Sequence, residues 1–384
     1  MQHFYFDHNA TTPLAPEVLE TMVSCLGQVY GNASSIHYFG QSAKQKLEAA
    51  RRQVASLIHA PATSIVFTSG GTEADNLAIF GAVRAAGAGR NHVITTSIEH
   101  PAVLASCRQL EREGCSVTCL RAGSNGAVQP DDLRAALRPE TALVSVMHAN
   151  NETGVIQPVA EIARIAREAG VPVHVDGVQA LGKIPVDVED LGVDFYTASG
   201  HKIYAPKGVG ALYVRKGARV APIAFGGHHE RDRRPGTENV PGIAAFGAAA
   251  ELAAQNLAAD AERIGNLRDR LEAAVLDRIP GSGVNGSRWN RVPNTTNLYF
   301  EGIDGEALVI ALDLRGFAVS TGAACSSGAI APSHVLTAMG LSAERARASM
   351  RFSLGRSNTA AQVDGLIEAL TASVAHLRRI SVHA

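Results

Sequence analysis

The chain has 384 residues, which exceeds the usual size of one hydrophobic core and predicts two domains. Its 35 Lys and Arg residues nearly balance its 36 Asp and Glu residues, so its charge gives no reason to expect nucleic acid or an anionic membrane as a partner. The N-terminus lacks a secretory pattern, and no apolar run reaches the roughly eighteen residues of a membrane span, so we expect a cytoplasmic protein.

Apolar, strand-like runs alternate with amphipathic helical patterns over the first part of the chain. The runs lie at 64–68, 92–96, 116–120, 142–147, 171–175, 195–198 and 210–214. The helical patterns lie at 41–59, 73–84, 102–113, 131–137 and 159–168. This alternation predicts an α/β fold with a mostly parallel, doubly wound sheet of seven strands. The last two runs are too close for a helical crossover, so we expect an antiparallel strand there.

The second part of the chain has a different pattern. Residues 241–278 read as one long helix rich in Ala and Leu, which we expect to connect two domains. Strands near 295–300 and 349–353 and helices at 305–314 and 360–377 follow and predict a smaller α+β unit. We therefore expect a large domain at 14–260 and a small domain formed by 1–13 and 261–384.

Two neighbouring strand-like runs end in the groups that pyridoxal phosphate requires. The run at 173–175 ends in Asp176, and the run at 195–198 ends in Ser199-Gly200-His201-Lys202. A lysine amine holds the aldehyde as a Schiff base, and a carboxylate keeps the pyridine nitrogen protonated. Open α/β sheets bind their ligands at the carboxyl ends of the strands. Asp176 and Lys202 are therefore predicted to meet in a cofactor site.

A glycine turn at residues 69–73, between a predicted strand and a predicted helix, is a candidate phosphate site. The glycines there, Gly71 among them, let backbone N–H groups approach an anion at the helix N-terminus. An ordinary turn with Thr72 as the helix cap is the alternative. No Gly-Lys-Ser/Thr follows, so this is not a nucleotide P-loop. With Ser199 and His201 as further donors, a phosphate pocket is favoured.

Ordered sequence blocks along the whole chain resemble one known family. The blocks lie at 5–12, 31–37, 67–76, 97–100, 148–154, 234–237, 320–328 and 351–356. They are similar to those of the cysteine desulfurases of fold type I, in the branch that serves iron–sulfur cluster assembly and nitrogenase maturation. The resemblance implies a pyridoxal-phosphate enzyme that converts L-cysteine to L-alanine. It also implies a sulfur acceptor or an iron–sulfur scaffold protein as a partner.

The resemblance also implies roles for residues around the cofactor. Lys202 carries the cofactor, and His100 stacks on its ring and shuttles protons. Asp176 pairs with the pyridine nitrogen, and Gln179 reaches the phenolic oxygen. Asn151 supports the same oxygen or the substrate.

Two further residues are assigned to the substrate and to the partner subunit. Arg351 offers a planar fork to the α-carboxylate of an amino acid. Thr237 resembles the residue that reaches the phosphate of the neighbouring subunit's cofactor, which implies a functional homodimer.

Cys325 distinguishes a desulfurase from other enzymes of this fold. Residues 320–328 are nearly all small, so they cannot form a core and are expected to be a mobile loop. The resemblance implies that the Cys325 thiolate attacks the substrate sulfur and carries it as a persulfide. Cys325 is expected to contact an iron–sulfur cluster only in transit, and no resident metal site is predicted. The long, Ser-rich loop resembles the branch that serves scaffold proteins.

The other four cysteines have no such surroundings. Five scattered cysteines favour reduced thiols over a disulfide framework: Cys25, Cys107, Cys115, Cys119 and Cys325. Cys115 and Cys119 fall on one face of a predicted strand, where we expect two buried thiols rather than a metal pair.

Several activities stay open at this stage. A selenocysteine lyase would need a discrimination that the sequence does not reveal, and an aminotransferase would not need Cys325. A non-catalytic partner subunit is disfavoured because the catalytic groups are all present. Four positions depart from the family pattern: Gly177 for the usual Ala, Thr321 and Ala323 in the Cys325 loop, and Ala205 for a frequent Gly. None of them removes a catalytic group.

Overall fold

The computed structural model describes residues 2–322 and 332–381. The strands are β1 (Phe4–Tyr5), β2 (Ile65–Thr68), β3 (His92–Thr96), β4 (Ser116–Leu120), β5 (Thr141–Met147), β6 (Val173–Asp176), β7 (Phe195–Ser199), β8 (Gly210–Val214), β9 (Ser282–Val284), β10 (Thr295–Phe300), β11 (Phe317–Ala318) and β12 (Ser349–Ser353). The helices are α1 (Pro16–Gln28), α2 (Tyr38–Leu57), α3 (Gly71–Ala85), α4 (Pro101–Arg112), α5 (Pro130–Ala136), α6 (Val159–Glu168), α7 (Val188–Leu191), α8 (Val240–Arg278), α9 (Gly305–Asp313), α10 (His334–Ala338), α11 (Ala343–Arg347) and α12 (Ala360–Ser381).

A seven-stranded sheet in the order β2-β8-β7-β6-β5-β3-β4 organises the larger part of the chain. Only β8 runs against its two neighbours, β7 and β2, so the sheet is otherwise parallel. The predicted α/β fold and its antiparallel strand are therefore confirmed. The strand predicted at 171–175 begins two residues later and includes Asp176.

Helices cover both faces of this sheet, because its central strands are apolar on both faces. On one face, Ile94, Val144 and Val146 pack in a core with side chains of α2, α6 and the first half of α8. On the other face, Leu143 and Phe195 pack with side chains of α3 and α4. The amino end of α3 and the carboxyl ends of β6 and β7 thereby come to one edge of the sheet.

A second core lies around the three-stranded antiparallel sheet β12-β10-β9. It joins Phe6 to apolar side chains of α8, α9 and α12, such as Leu271, Leu308 and Leu370. The short strand β1 pairs in parallel with β11 beside it. The N-terminal segment therefore packs in this second core, while the division into domains at residues 13 and 260 stays a prediction.

Two expectations need correction. Helix α1 was not predicted. Its apolar residues Leu19, Val23 and Leu26 are exposed, so its sequence lacks the single apolar face that is typical of an amphipathic helix. Cys119 is exposed and Cys115 only half-buried, so the prediction of two buried thiols was wrong. The reason is that β4 is an edge strand. Among the described residues, no helix has the length and apolar character needed to cross a membrane.

The stability of the second core should depend on a buried ion pair. Glu272 and Arg291 are each 3% exposed and lie 2.7 Å apart, and Thr296 donates a further hydrogen bond to Glu272. Glu272→Ala should cost about 3–5 kcal/mol, because it removes the hydrogen-bonded charge partner of a buried guanidinium and leaves it only the exposed Asp269, 3.7 Å away. Asp364→Ala breaks an exposed pair with Arg270 and should cost less than about 1 kcal/mol. Urea unfolding measures both, and equal costs would contradict the prediction.

Candidate active site

The predicted cofactor residues Lys202 and Asp176 lie at the carboxyl ends of the adjacent strands β7 and β6. Asp176 is the last residue of β6, and its Oδ1 accepts a hydrogen bond from the backbone N–H of Val178 at 3.0 Å. Lys202 closes a short 3₁₀ turn that directly follows β7. Its Nζ donates to the backbone carbonyl of Ala10, 2.6 Å away, so the N-terminal segment crosses the site.

Burial shifts the pKa values of both groups towards their neutral forms. Desolvation, together with the nearby Arg351, lowers the pKa of Lys202 to about 8. Desolvation, reinforced by the nearby Asp75, raises the pKa of Asp176 to about 6. A lysine with this pKa has a larger fraction of neutral, nucleophilic amine near neutral pH than an ordinary lysine.

Asn9 connects Lys202 to a second lysine that the sequence analysis did not single out. The backbone carbonyl of Asn9 accepts hydrogen bonds from Lys202 Nζ and from Gln179 Nε2. Lys183 Nζ donates to Asn9 Oδ1 at 2.9 Å and to Gln179 Oε1 at 2.6 Å. Desolvation lowers the pKa of Lys183 well below its ordinary value, and the positive charges of Lys202 and Arg351 lower it further. These contacts fix the orientation of the Gln179 amide.

The predicted phosphate turn forms the amino end of α3. Gly70 is the N-cap and no side chain caps the helix, so its first N–H groups remain available to an anion. A Cβ at Gly71 would lie 2.9 Å from Val178 and 3.6 Å from Ser199, so the glycine permits this close approach. Thr72 is exposed and Ser199 is buried.

His201 follows Ser199 and turns towards the N-terminal segment. Its Nδ1 lies 3.1 Å from Thr11 Oγ1. Desolvation, with help from the charges of Lys202 and Lys207, lowers its pKa to about 4, so the ring is neutral.

His100 is the N-cap of α4 and is exposed at the site. Its Nδ1 accepts a hydrogen bond from the backbone N–H of Ala102 at 3.1 Å, which assigns the proton of the neutral ring to Nε2. Desolvation lowers the pKa of His100, while the charge of Asp176 opposes this shift.

Arg351 lies on β12 and is 4% exposed. It donates to Asp7 Oδ1 at 2.6 Å and to the backbone carbonyl of Asn151 at 3.0 Å. Its Nε is buried and has no hydrogen-bond partner in residues 2–322 and 332–381. A buried guanidinium with an unused donor suits a carboxylate ligand.

Two predicted site residues are not brought to this cluster. Thr237 is exposed just before α8, and the described contacts do not connect it with Lys202. Its segment is held near α3 by Arg234, whose Nε lies 2.9 Å from Glu73. Cys325 and Ala323 lie outside the described residues.

The structure accounts for one departure from the family pattern. A Cβ at Gly177 would overlap the ring of Tyr196, which packs against this turn. The Tyr196 hydroxyl is in turn held by His148 Nδ1 at 2.9 Å. Glycine is therefore required beside Asp176 in this chain.

The residues present fit pyridoxal phosphate. Among the described residues, the basic groups that act on the buried Asp176 carboxylate are His100, His174 and Lys202, all with a lowered pKa, so a protonated pyridine nitrogen would supply the positive charge that it lacks. The uncapped amino end of α3 suits the phosphate, and the Lys202 amine suits the aldehyde. Fold and site together define a pyridoxal-phosphate enzyme of fold type I.

The aminotransferase class-V profile matches residues 4–366, and the chain belongs to this family and, within it, to the cysteine desulfurases. A cysteine desulfurase from Nostoc sp. is 49% identical over 381 residues, covering 99% of this chain and 95% of the relative. A solved NifS-like protein matches with a TM-score of 0.92 and 36% identity, covering 98% of this chain and 100% of the other. A structure described as SspA in complex with cysteine matches with a TM-score of 0.81 and 35% identity, covering 91% and 98% of the two chains.

The Lys202 amine should carry the cofactor. We expect the purified protein to be yellow and the Lys202→Ala variant to lose covalent attachment of the cofactor. Lys207→Ala, which changes an exposed lysine nearby, is the control and should keep the attachment. In apoprotein, attachment should accelerate with pH through a midpoint near 8 rather than 10.5, because burial favours the neutral amine. Absorption spectra and peptide mapping after borohydride reduction measure this. A colourless protein, or attachment at Lys183, would contradict the assignment.

Proposed function

We propose that this cysteine desulfurase uses the cluster around Lys202 to convert L-cysteine to L-alanine, with Cys325 taking the sulfur as a persulfide. The observation that carries the proposal is the meeting of a buried Lys202 amine, the Asp176 carboxylate and the Arg351 guanidinium in one site. The match to a structure described as containing cysteine supports the choice of substrate.

Pyridoxal phosphate supplies an aldehyde that condenses with amines and a protonated ring that withdraws electrons from the substrate. Asp176 and Gln179 would hold the ring, and the amino end of α3 with Ser199 and His201 would hold the phosphate. Gln179 Oε1 accepts a hydrogen bond from Lys183 and Gln179 Nε2 donates one proton to Asn9, so the second Nε2 proton of Gln179 is the one that would reach the ring oxygen. With the aldehyde engaged by a substrate amine, the Lys202 amine would be free to accept and donate protons.

Arg351 binds the substrate carboxylate. Its Nε is the unused buried donor, and a carboxylate that reaches it shares the guanidinium with Asp7. The two acidic groups compete for one cation, so Asp7 limits how tightly the substrate is held. Asn151 is positioned by its own backbone bond to Arg351.

His100 exchanges protons with the pocket through Nε2. Its Nδ1 is occupied by the first turn of α4, so full protonation of the ring ends the hydrogen bond to Ala102. Desolvation by the surrounding site lowers the pKa of His100, which favours the neutral ring.

Both chain segments that flank Cys325 are fixed at the site. Ser320 forms an antiparallel bridge with Arg351, and Ser333 donates a hydrogen bond to the buried carboxylate of Glu152. Because these described segments on either side of residues 323–331 lie beside Arg351 and Glu152, they support the proposed action of the Cys325 thiol on a substrate bound at Arg351.

A homodimer and a protein sulfur acceptor complete the proposal. Apolar side chains exposed on α1 and the segment after it include Leu26, Tyr30, Ile36 and Tyr38, which are 59%, 71%, 95% and 80% exposed. A patch of this kind is typical of a surface covered by another chain. Thr237, exposed and away from Lys202 of its own chain, is free to reach the cofactor phosphate of the other copy.

The role of Cys325 is tested by removing its thiol. Cys325→Ala should still show the spectral change on adding cysteine, because Lys202 and Arg351 are intact, but alanine production should fall by ~10⁴-fold. Cys119→Ala, at an exposed thiol on the edge strand, is the control and should keep full activity. Arg351→Ala should instead weaken substrate binding roughly 10- to 100-fold, because it removes a charged hydrogen bond. Near-normal sulfide release by Cys325→Ala would show that the thiol is not the acceptor.

The homodimer is tested through the cofactor. If Thr237 completes the phosphate site of the other copy, Thr237→Val should weaken cofactor binding, and dilution below the dimer dissociation constant should release cofactor from the wild-type protein. Analytical ultracentrifugation and equilibrium dialysis measure the two effects together. A monomer with undiminished cofactor affinity would contradict the proposal.

A further inference from the structure

A buried polar network lies behind Asp176 on the same face of the sheet. Residues two apart on a strand share a face, so His174 lies directly behind Asp176 on β6. The His174 side chain is fully buried, with Nδ1 2.8 Å from Ser145 Oγ and Nε2 3.0 Å from Thr197 Oγ1. Ser145 lies opposite His174 and Thr197 lies opposite Asp176 in the neighbouring strands. The catalytic carboxylate and this network therefore form one dry polar cluster.

Helix α3 adds a second carboxylic acid to the network. Asp75 is 1% exposed, and its Oδ1 lies 3.4 Å from His174 Nε2 without making a hydrogen bond to any described residue. Desolvation raises the pKa of Asp75 to about 7, although a hydrogen bond from Thr197 opposes the shift. Burial thus moves the pKa of Asp75 towards neutral pH, and in the part of the chain that the structure describes Asp75 forms no ion pair with a Lys or Arg side chain.

The charges around Asp75 come from three other elements. From β6 these are Asp176 and His174, the latter with a pKa lowered to about 4 by burial. Beyond β3 lie Glu99 and His100, and beyond β7 lies Lys202. Glu99 accepts hydrogen bonds from Thr96 and from the backbone of Met147, and desolvation raises its pKa well above the ordinary value. Burial therefore favours the neutral forms of Glu99 and His174, and Asp75 and Asp176 are carboxyl groups of the cluster whose pKa values lie at about 7 and about 6.

We propose that Asp75, acting through Thr197 and His174, is a positioning residue that controls the ionisation of Asp176. While Asp75 is protonated, Asp176 carries the only negative charge of the cluster and faces the cofactor ring. When Asp75 releases its proton to solvent, its negative charge repels the charge of Asp176. It also stabilises the protonated forms of the cationic groups in the site. This inference rests on the proposed use of Asp176 against the ring nitrogen.

The test compares holoenzyme variants by the pH dependence of the visible absorption band of the lysine-bound cofactor. In Asp75→Asn the midpoint should fall by roughly one unit, because a negative charge that stabilises the protonated form is gone. Asp132→Asn, on the exposed side of α5, is the matched control and should keep the wild-type midpoint. An unchanged midpoint in a coloured Asp75→Asn protein would overturn the proposal.

Thermal unfolding gives a readout that needs no chromophore. A carboxyl whose pKa is raised from 3.8 to about 7 on folding loses stabilising free energy as pH rises through that interval. The wild-type protein should therefore lose stability over this interval relative to Asp75→Asn. A colourless wild-type protein would contradict the proposed function, while parallel stability curves would contradict the role of Asp75.

A second pair of variants serves if Asp75→Asn does not fold. Thr197→Val removes the hydrogen bond that favours ionised Asp75, so the absorption midpoint should move in the same direction by a smaller amount. Thr197→Ser restores the hydroxyl and should restore the midpoint. A merely structural role would change the melting temperature in both variants and leave the midpoint in place, which would overturn the proposal.

Discussion

The hydrogen bonds of Asn9 are the constraint on which the geometry of the site depends. Asn9 is 1% exposed and bonds through its backbone and its side chain. Its side-chain NH2 donates hydrogen bonds to Asn151 and Thr295, and its side-chain carbonyl accepts from Lys183 and Asn294. Its backbone carbonyl accepts from Gln179 and Lys202, and its backbone N–H donates to Ser353. One residue therefore links the segments after β6 and β7 to β10 and β12, so Lys202 and Arg351 keep a fixed relation.

The distribution of charge in the site explains which ligands it accepts. Lys202, Lys183 and Arg351 lie close enough that their charges lower the pKa of Lys183. Asp7 neutralises part of this positive charge through Arg351, and Asp176 faces it from the end of β6. A site with this surplus favours ligands that bring negative charge, which are a phosphate group and an amino-acid carboxylate. The same repulsion adds to desolvation in lowering the pKa of both lysines, which raises the fraction of reactive, neutral amine.

The sequence predicted the large sheet better than the contacts around it. The strands at 92–96, 116–120 and 210–214 and the helix at 159–168 have the predicted bounds, because their apolar patterns are set by local burial. Asn9 and Lys183 were not predicted as site residues, since Asn9 reaches partners up to 344 residues away. Asp75 lies inside a helix pattern, and only the three-dimensional structure shows that it faces His174 rather than solvent. Asn9 belongs to the block at 5–12 on which the family resemblance rests, but the resemblance assigned no role to it.

The loop before Thr237 shows how local strain is held in place by long-range contacts. Glu230, Arg231 and Asp232 have φ values of 45°, 57° and 63°, a left-handed turn that costs about 1–2 kcal/mol per residue without glycine. Glu230 is buried and offsets this cost, because both its oxygens accept hydrogen bonds from Arg51 at 2.7 Å and one also accepts the backbone N–H of Phe67. Phe67 belongs to β2, which leads into the amino end of α3. The same ion pair therefore fixes both the glycine turn at the amino end of α3 and the start of the segment that carries Thr237.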